Sequence, residues 1–452
     1  MGSTKVGGAQ LLRPRVLLTH LPPSVRALVA RAFSIFASFV LTLAVARTLP
    51  VAATGSFFVV YTLGAVAASF GRFGVDNLAI KLLGSPGSHR AELRHSWQVV
   101  AVASVLGGAA FGLALTVMRV QGLGPGGVAW AALTVPPQAL AVVAGAILRG
   151  RGRLVWGILA ELGSIPAFAS VAILGAGVVS RPSLDGTVGL FAIATFLTAA
   201  WAVPMAVAAT HARGRAAPDS TPAASSLREF LRRRGAALSS MMGASLLYYT
   251  VAWAPILTLT FVGREADVAW VTVATRLANF VTLVPAIQVS YLAPLFSQAY
   301  HTGRLADLNG IARQSSLRAL AVVAVPAVVL AVGSPVALRV LYGAGFTGAA
   351  PLLSILVVGA LVVVGIGQVN TLMLICDLER WALLLSLAVV VAWATVGIWL
   401  AKADGAWAVV IFSALGALVY SLAAAVLLAR ERGVHSYART RGADLAGEGQ
   451  IG

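Results

Sequence analysis

Long apolar runs follow one another along almost the whole chain, each close to the ~20 residues an α-helix needs to cross ~30 Å of hydrocarbon. The pattern predicts twelve spans, at roughly 27–46, 55–71, 98–118, 128–148, 156–179, 188–209, 236–262, 269–292, 319–338, 350–376, 381–401 and 405–429. Most polar connections are short; the long ones are 72–97, 210–235 and 293–318, with a tail at each end. A membrane β-barrel would instead show ~10-residue alternating segments.

Composition agrees. Of 452 residues, 59% are hydrophobic and 11% charged, with a mean hydropathy of +0.90, against roughly 25% charged residues in a soluble domain. The expected class is an all-α polytopic membrane protein. The net charge of +18 reports topology before it suggests nucleic acid, and no nucleic-acid partner is expected. With the N-terminus placed in the cytoplasm, 25 Lys and Arg fall in cytoplasmic segments. One falls in each of the six opposite loops, and Arg31 and Arg276 lie inside spans. Both termini are therefore expected in the cytoplasm. Lysine supplies only Lys5, Lys81 and Lys402, so arginine identity by itself says little. The basic, proline-containing first 25 residues are too weakly apolar for a secretory signal.

The long basic connection divides the spans six and six. The expected organisation is a cytoplasmic N-tail (1–26), an N-terminal six-helix lobe (27–209), a basic linker (210–235), a C-terminal six-helix lobe (236–429) and a disordered cytoplasmic tail (430–452). Within the linker, "SSLREFLRRRG" reads as a short amphipathic helix lying on the anionic inner leaflet. "ARTLPVAATGSFFVVYT" and "FVGREADVAWVTVATR" open the second and eighth spans at an offset of 214, and Gln138 and Gln368 lie late in the fourth and tenth. Two halves in the same orientation imply a pseudo-two-fold axis along the membrane normal, with a cavity between the lobes. Prolines inside several spans, such as Pro136, Pro204, Pro255 and Pro326, suit helices that bend.

No phosphate loop of the G-x-x-x-x-G-K-[ST] type occurs. The six histidines are expected in loops or tails, with no metal-site spacing and no intramembrane proton relay. No nucleophile–base pairing stands out, and the outer connections are too short to carry a catalytic domain. The chain is expected to transport rather than catalyse, without cofactor or metal. Cys376, the single cysteine, reads as a small buried residue at a helix end.

Charges inside the spans are the candidates for function. Arg31 either snorkels to the inner headgroups or pairs with Glu161 at similar depth. Arg72 reads as an anchor at the end of the second span and Asp76 as loop. Glu161 needs a partner or a proton, so Glu161, Asp76 and Arg72 are candidates for an ion pair or proton coupling. Arg276 lies about seven residues into the eighth span, ~10 Å deep, with no acid at matching depth. Thr272, Thr275, Arg276 and Asn279 share one helical face. That stripe predicts a hydrated cationic cavity, with Arg31, Arg276, Asn279, Thr272 and Thr275 as its substrate contacts. Ser239, Ser240, Tyr248, Tyr249 and Thr250 of the seventh span are candidates for the same wall.

Taken together, "VARTLPVAATGSFFVVYTLGAVAASFGRFGVDN", "ATRLANFVTLVPAIQVSYLAPLFSQAYHTGRLADL", "ALRVLYGAGFTGAAPLLSIL" and the Gln368–Arg380 stretch resemble the Wzx-type polysaccharide flippases of the multidrug/oligosaccharidyl-lipid/polysaccharide exporter superfamily. The resemblance implies V-shaped lobes, alternating access and a lipid-linked oligosaccharide cargo, a polyprenyl diphosphate glycan, in a bacterial cytoplasmic membrane. It also implies membrane lipids, a polysaccharide polymerase and glycosyltransferases as partners, and a diphosphate as the anion for Arg276. Few lysines and few intramembrane acids depart from the family's pattern. A cation-coupled multidrug exporter of the same fold, or a non-transporting scaffold of a glycan-assembly complex, are the alternatives. "GRFGVDNLAIK" does not match the G-x-x-x-D-R-x-G-R-R loop of a major-facilitator transporter.

Overall fold

The computed structural model describes residues 23–84, 90–180, 182–211 and 226–437, and among these every regular element is helical. The N-terminal lobe holds α1 (Pro23–Thr48), α2 (Val51–Arg72), α3 (Val75–Gly84), α4 (Arg90–Met118), α5 (Pro125–Gly150), α6 (Leu154–Val179) and α7 (Leu184–His211). Then follow α8 (Leu227–Val262), α9 (Glu265–Ala278), α10 (Leu283–His301), α11 (Leu305–Val332), α12 (Ser334–Tyr342), α13 (Ala350–Ile366), α14 (Val369–Ile375), α15 (Glu379–Asp404) and α16 (Ala406–Arg432). Ten helices are long and apolar enough to cross a membrane, or twelve if two bent pairs each count as one span. The chain is thus an all-α, multi-pass membrane protein. Its many exposed leucines, valines and phenylalanines are the lipid-facing surface that such helices require.

Several expected boundaries move. The connection 72–97 is largely helix, because only residues 73 and 74 separate α2 from α3 and α4 begins at Arg90. Connection 293–318 is the end of α10 and the first turns of α11. The expected ninth span overran: α11 stops at Val332, and 334–342 is the separate helix α12. "SSLREFLRRRG" is not a helix of its own. Ser226 caps α8, its hydroxyl accepting from the Glu229 amide at 3.3 Å, and nothing interrupts the helix before it enters the membrane. Residues 212–225 of the linker, 1–22 of the N-tail and 438–452 of the C-tail lie outside the described residues.

Three spans are interrupted. The seventh bends by 50° within α8, between Leu247 and Tyr249, and the eighth turns by 56° between α9 and α10. The tenth breaks at Gly367, whose φ of 100° and ψ of −164° belong to a region open essentially only to glycine. The expected tail does not begin at 430. Val434 is fully buried, Ser436 donates to the Ile366 carbonyl at 3.0 Å, and Ser316 donates to the Ser436 carbonyl at 2.8 Å. Residues 433–437 thereby fill the break between α13 and α14.

The hydrophobic core explains where a cavity can form. One cluster runs through both lobes, joining Leu41, Phe57 and Phe58 of the first to Val271, Phe346 and Leu353 of the second. It lies at the end where α1 hands over to α2. Arg47, at the end of α1, donates from Nε to the Leu341 carbonyl at 2.6 Å and from Nη2 to the Val340 carbonyl, the last turn of α12. At the opposite end the core divides in two. One cluster holds Leu78, Ile147 and Phe230, and the other Phe296, Leu372 and Val434.

Candidate functional site

A cavity of about 480 Å³ lies between the lobes. Its lining residues come from the middle of α1, from α2 between Tyr61 and Arg72, from the middle of α5, the first half of α6, the middle of α8, and the α9–α10 break. Three arginines line it, Arg31, Arg72 and Arg276, against one acid, Glu161. Aromatic side chains supply much of the rest: Phe39, Tyr61, Tyr249, Trp253 and Phe280.

Arg276 is farther from the start of its helix than the expected span boundary at 269 suggests. Helix α9 begins at Glu265, with Glu265 and Asp267 in a first turn that favours acids. Eleven further positions put Arg276 roughly 16 Å along the helix from Glu265. It is half-buried and makes no ion pair or hydrogen bond within the described residues. Its guanidinium instead lies over Trp253 at 5.4 Å and Tyr61 at 5.9 Å from the ring centroids. Asn279, exposed at the end of α9, joins it in the lining. The rest of the expected stripe does not. Thr272 is buried in the packed face of α9 with no partner for its hydroxyl, and Thr275 is outside the lining. One helical face is wide enough to be split between core and cavity, and the sequence does not mark the dividing line.

The structure pairs Glu161 with Arg149, not with Arg31. Arg149 Nη2 donates to Glu161 Oε2 at 2.7 Å, from the last turn of α5 to a π-helical turn, Leu159–Gly163, within α6. Arg149 belongs to a short basic stretch that in the sequence signals topology alone, so nothing there marks it as the partner. Arg31 is exposed and lines the cavity. Asp76 is not loop: it lies in the first turn of α3 and accepts from Arg72 Nη1 at 3.0 Å. Arg72 is only 4% exposed. It also donates to Ser69 and to the Ala68 carbonyl, and its guanidinium lies over Tyr249 at 5.3 Å.

Of the seventh-span candidates, Tyr249 lines the cavity, whereas Ser239 and Ser240 are exposed nearer the start of α8 and Thr250 is not in the lining. The side chain of Tyr248 lies outside the described residues. Trp253 and Tyr61 are lining residues that charge-based reading missed; Trp253 follows Tyr249 by four, the spacing of one helical face. Gln138 lines the cavity, whereas Gln368 sits at the α13–α14 break and donates to the Pro285 carbonyl at 2.8 Å. His95 is not in a loop: it lies buried near the start of α4, its ring 5.8 Å from that of Phe230. Among the described residues no three His, Cys, Asp or Glu groups come together as a metal site.

No protein-family model matches the chain, and no curated protein sequence matches it. Solved structures do match. An inward-facing multidrug resistance MATE family transporter of the MOP superfamily aligns at TM-score 0.62 and 16% identity, over 90% of this chain and 98% of that one. The lipid II flippase MurJ, in an inward closed conformation, aligns at TM-score 0.63 and 11% identity, over 92% and 87%. A MOP superfamily transporter from Pyrococcus furiosus, described by a reversed polarity of its binding pocket, aligns at TM-score 0.55 and 16% identity, over 93% and 98%. At these identities the likeness is one of fold.

Proposed function

We propose that this chain is a transporter of the MOP superfamily. In this reading it is a flippase that carries undecaprenyl-diphosphate-linked oligosaccharide units from the inner to the outer leaflet of a bacterial cytoplasmic membrane, for surface polysaccharide biosynthesis. The carrying observation is the charge of the cavity. Glu161 and Asp76 are each held by an arginine, which leaves Arg276 and Arg31 uncompensated in a half-enclosed space. A guanidinium there calls for an anion, and its planar fork suits phosphate oxygens. Arg276 and Arg31 hold the diphosphate, Asn279 and Gln138 offer hydrogen bonds to the headgroup, and the polyprenyl tail stays in lipid. Rocking of the lobes about the sealed end exchanges access to the cavity. The basic asymmetry of the loops supports cytoplasmic termini, and a cavity between the lobes supports transport over a scaffold role.

The test is translocation of a lipid-linked oligosaccharide by reconstituted protein. Arg276→Ala should lose most of the rate, and Arg276→Lys should keep part of it, as a point charge without the fork. A wild-type rate in Arg276→Ala removes the anion contact from the mechanism.

A second reading, a cation-coupled multidrug exporter, draws on one observation: a carboxylate, Glu161, stands in a cavity walled by aromatic rings. Efflux of a lipophilic cation that Glu161→Gln abolishes and Arg276→Ala spares would favour it.

A further inference from the structure

Tyr249 and Trp253 sit four apart on α8, the spacing that places two side chains on one helical face, and both line the cavity. Each carries a guanidinium from a different helix. Arg72, from the N-terminal lobe, lies over Tyr249 at 5.3 Å, and Arg276, from the C-terminal lobe, over Trp253 at 5.4 Å. Tyr61 extends the wall, its ring 5.8 Å from that of Trp253. The two cations differ in one respect. Arg72 is neutralised by Asp76 at 3.0 Å, whereas Arg276 has no acid partner within the described residues. The strip therefore has a direction: an uncompensated positive charge at its Trp253 end and a closed ion pair at its Tyr249 end.

We propose that this strip is a saccharide subsite. A phosphate group takes the free N–H edge of Arg276, and the first sugar ring of the same headgroup stacks its C–H face on the sides of Trp253 and Tyr249 that the two guanidiniums leave uncovered. An aromatic face carries negative potential and receives the weakly positive C–H groups of a pyranose as it receives a cation. Because Arg72 is closed by Asp76, a second anionic group at the sugar end gains little, and the strip favours a neutral first sugar. The ligand class is a glycosyl diphosphate, phosphate and sugar read by adjacent residues. The assignment rests on the flippase reading and adds the residues that sense the glycan.

The experiment compares two probes in phosphatidylethanolamine–phosphatidylglycerol proteoliposomes: undecaprenyl diphosphate carrying one N-acetylhexosamine, and bare undecaprenyl diphosphate. The readout is the ratio of their translocation rates. Trp253→Leu and Tyr249→Leu keep bulk without a ring, and should lower the glycosylated-to-bare ratio about two- to tenfold. Trp253→Phe and Tyr249→Phe should hold the ratio within about twofold of wild type. An unchanged ratio in the leucine variants, an equal fall in the phenylalanine variants, or slowing of both probes alike overturns the subsite. Wild-type protein that moves neither lipid overturns the flippase reading itself, and the subsite with it.

Discussion

The backbone carbonyl of Glu265 lies directly over Gly55, so close that a Cβ on residue 55 would fall inside its van der Waals envelope. This is where the two lobes touch most intimately. Gly55 is in the first turns of α2 and Glu265 opens α9, and the two helices begin 214 positions apart, the offset at which the two segments resemble each other. The contact thus joins equivalent helices of the two halves and seals one end of the cavity. Gly55→Ala should separate the lobes there, at a cost of about 1–3 kcal/mol as in other overpacked interiors. Thermal unfolding in detergent should show the loss, while Gly235→Ala, which meets open space, should not.

Arg47 provides the polar part of the same seal. Its two donors satisfy carbonyls of the last turn of α12 that would otherwise lack partners. Arg47→Lys offers one point donor in place of a fork, and should weaken the closed end by about 1 kcal/mol. Spin labels on α1 and α12 near this contact should then report a longer or broader distance distribution than in the wild type.

The Arg149–Glu161 pair should reveal itself by non-additivity. Each partner alone is left half-enclosed when the other is removed; both side chains keep some exposure, at 32% and 18%, so solvent weakens the effect. Arg149→Met or Glu161→Gln should each destabilise by roughly 1–2 kcal/mol, and the double variant by less than the sum. Additive losses in a thermal-unfolding cycle would remove the coupling.

Cys376 follows the α13–α14 span and is fully buried, with burial pushing its thiol up to about 11. The thiol is therefore neutral in the folded protein at pH 8, and a maleimide should modify it only after denaturation. The linked stability has a sign. The native thiol holds its proton above the value of about 9 at which the unfolded one releases it, so this contribution is intact below about pH 9. It is lost as pH rises toward about 11. Cys376→Ala should flatten that part of the stability profile.

The strap at 433–437 should stabilise the broken tenth span. Ser436→Ala removes the donor to Ile366 and should cost about 1 kcal/mol. Truncation after Arg432 also exposes the Gly367 break and should cost more, read as a larger fall in melting temperature.

The length and continuity of the apolar runs determined the helical class, because hydrocarbon leaves a backbone only helices or closed barrels to satisfy its polar groups, and barrel strands are short and alternating. The spacing of apolar runs also placed the spans in sequence, and repeated segments marked the two halves. Where helices break depended on single residues such as Gly367, and on what later chain returns to fill the gap; no local pattern announces Ser436 as that filler. Arg276 stood out because a charge in an apolar run is conspicuous in one dimension. Its neighbours did not, because Trp253 and Tyr61 are unremarkable in an apolar span until packing carries them to the same guanidinium. The partner of Glu161 was missed for the related reason that Arg149 has the composition of a topology signal. Only the packing of α5 against α6 turns it into an ion pair. Sequence determined which groups are costly to bury; tertiary structure decided which of them meet, since ion pairs and ring contacts form between helices far apart along the chain.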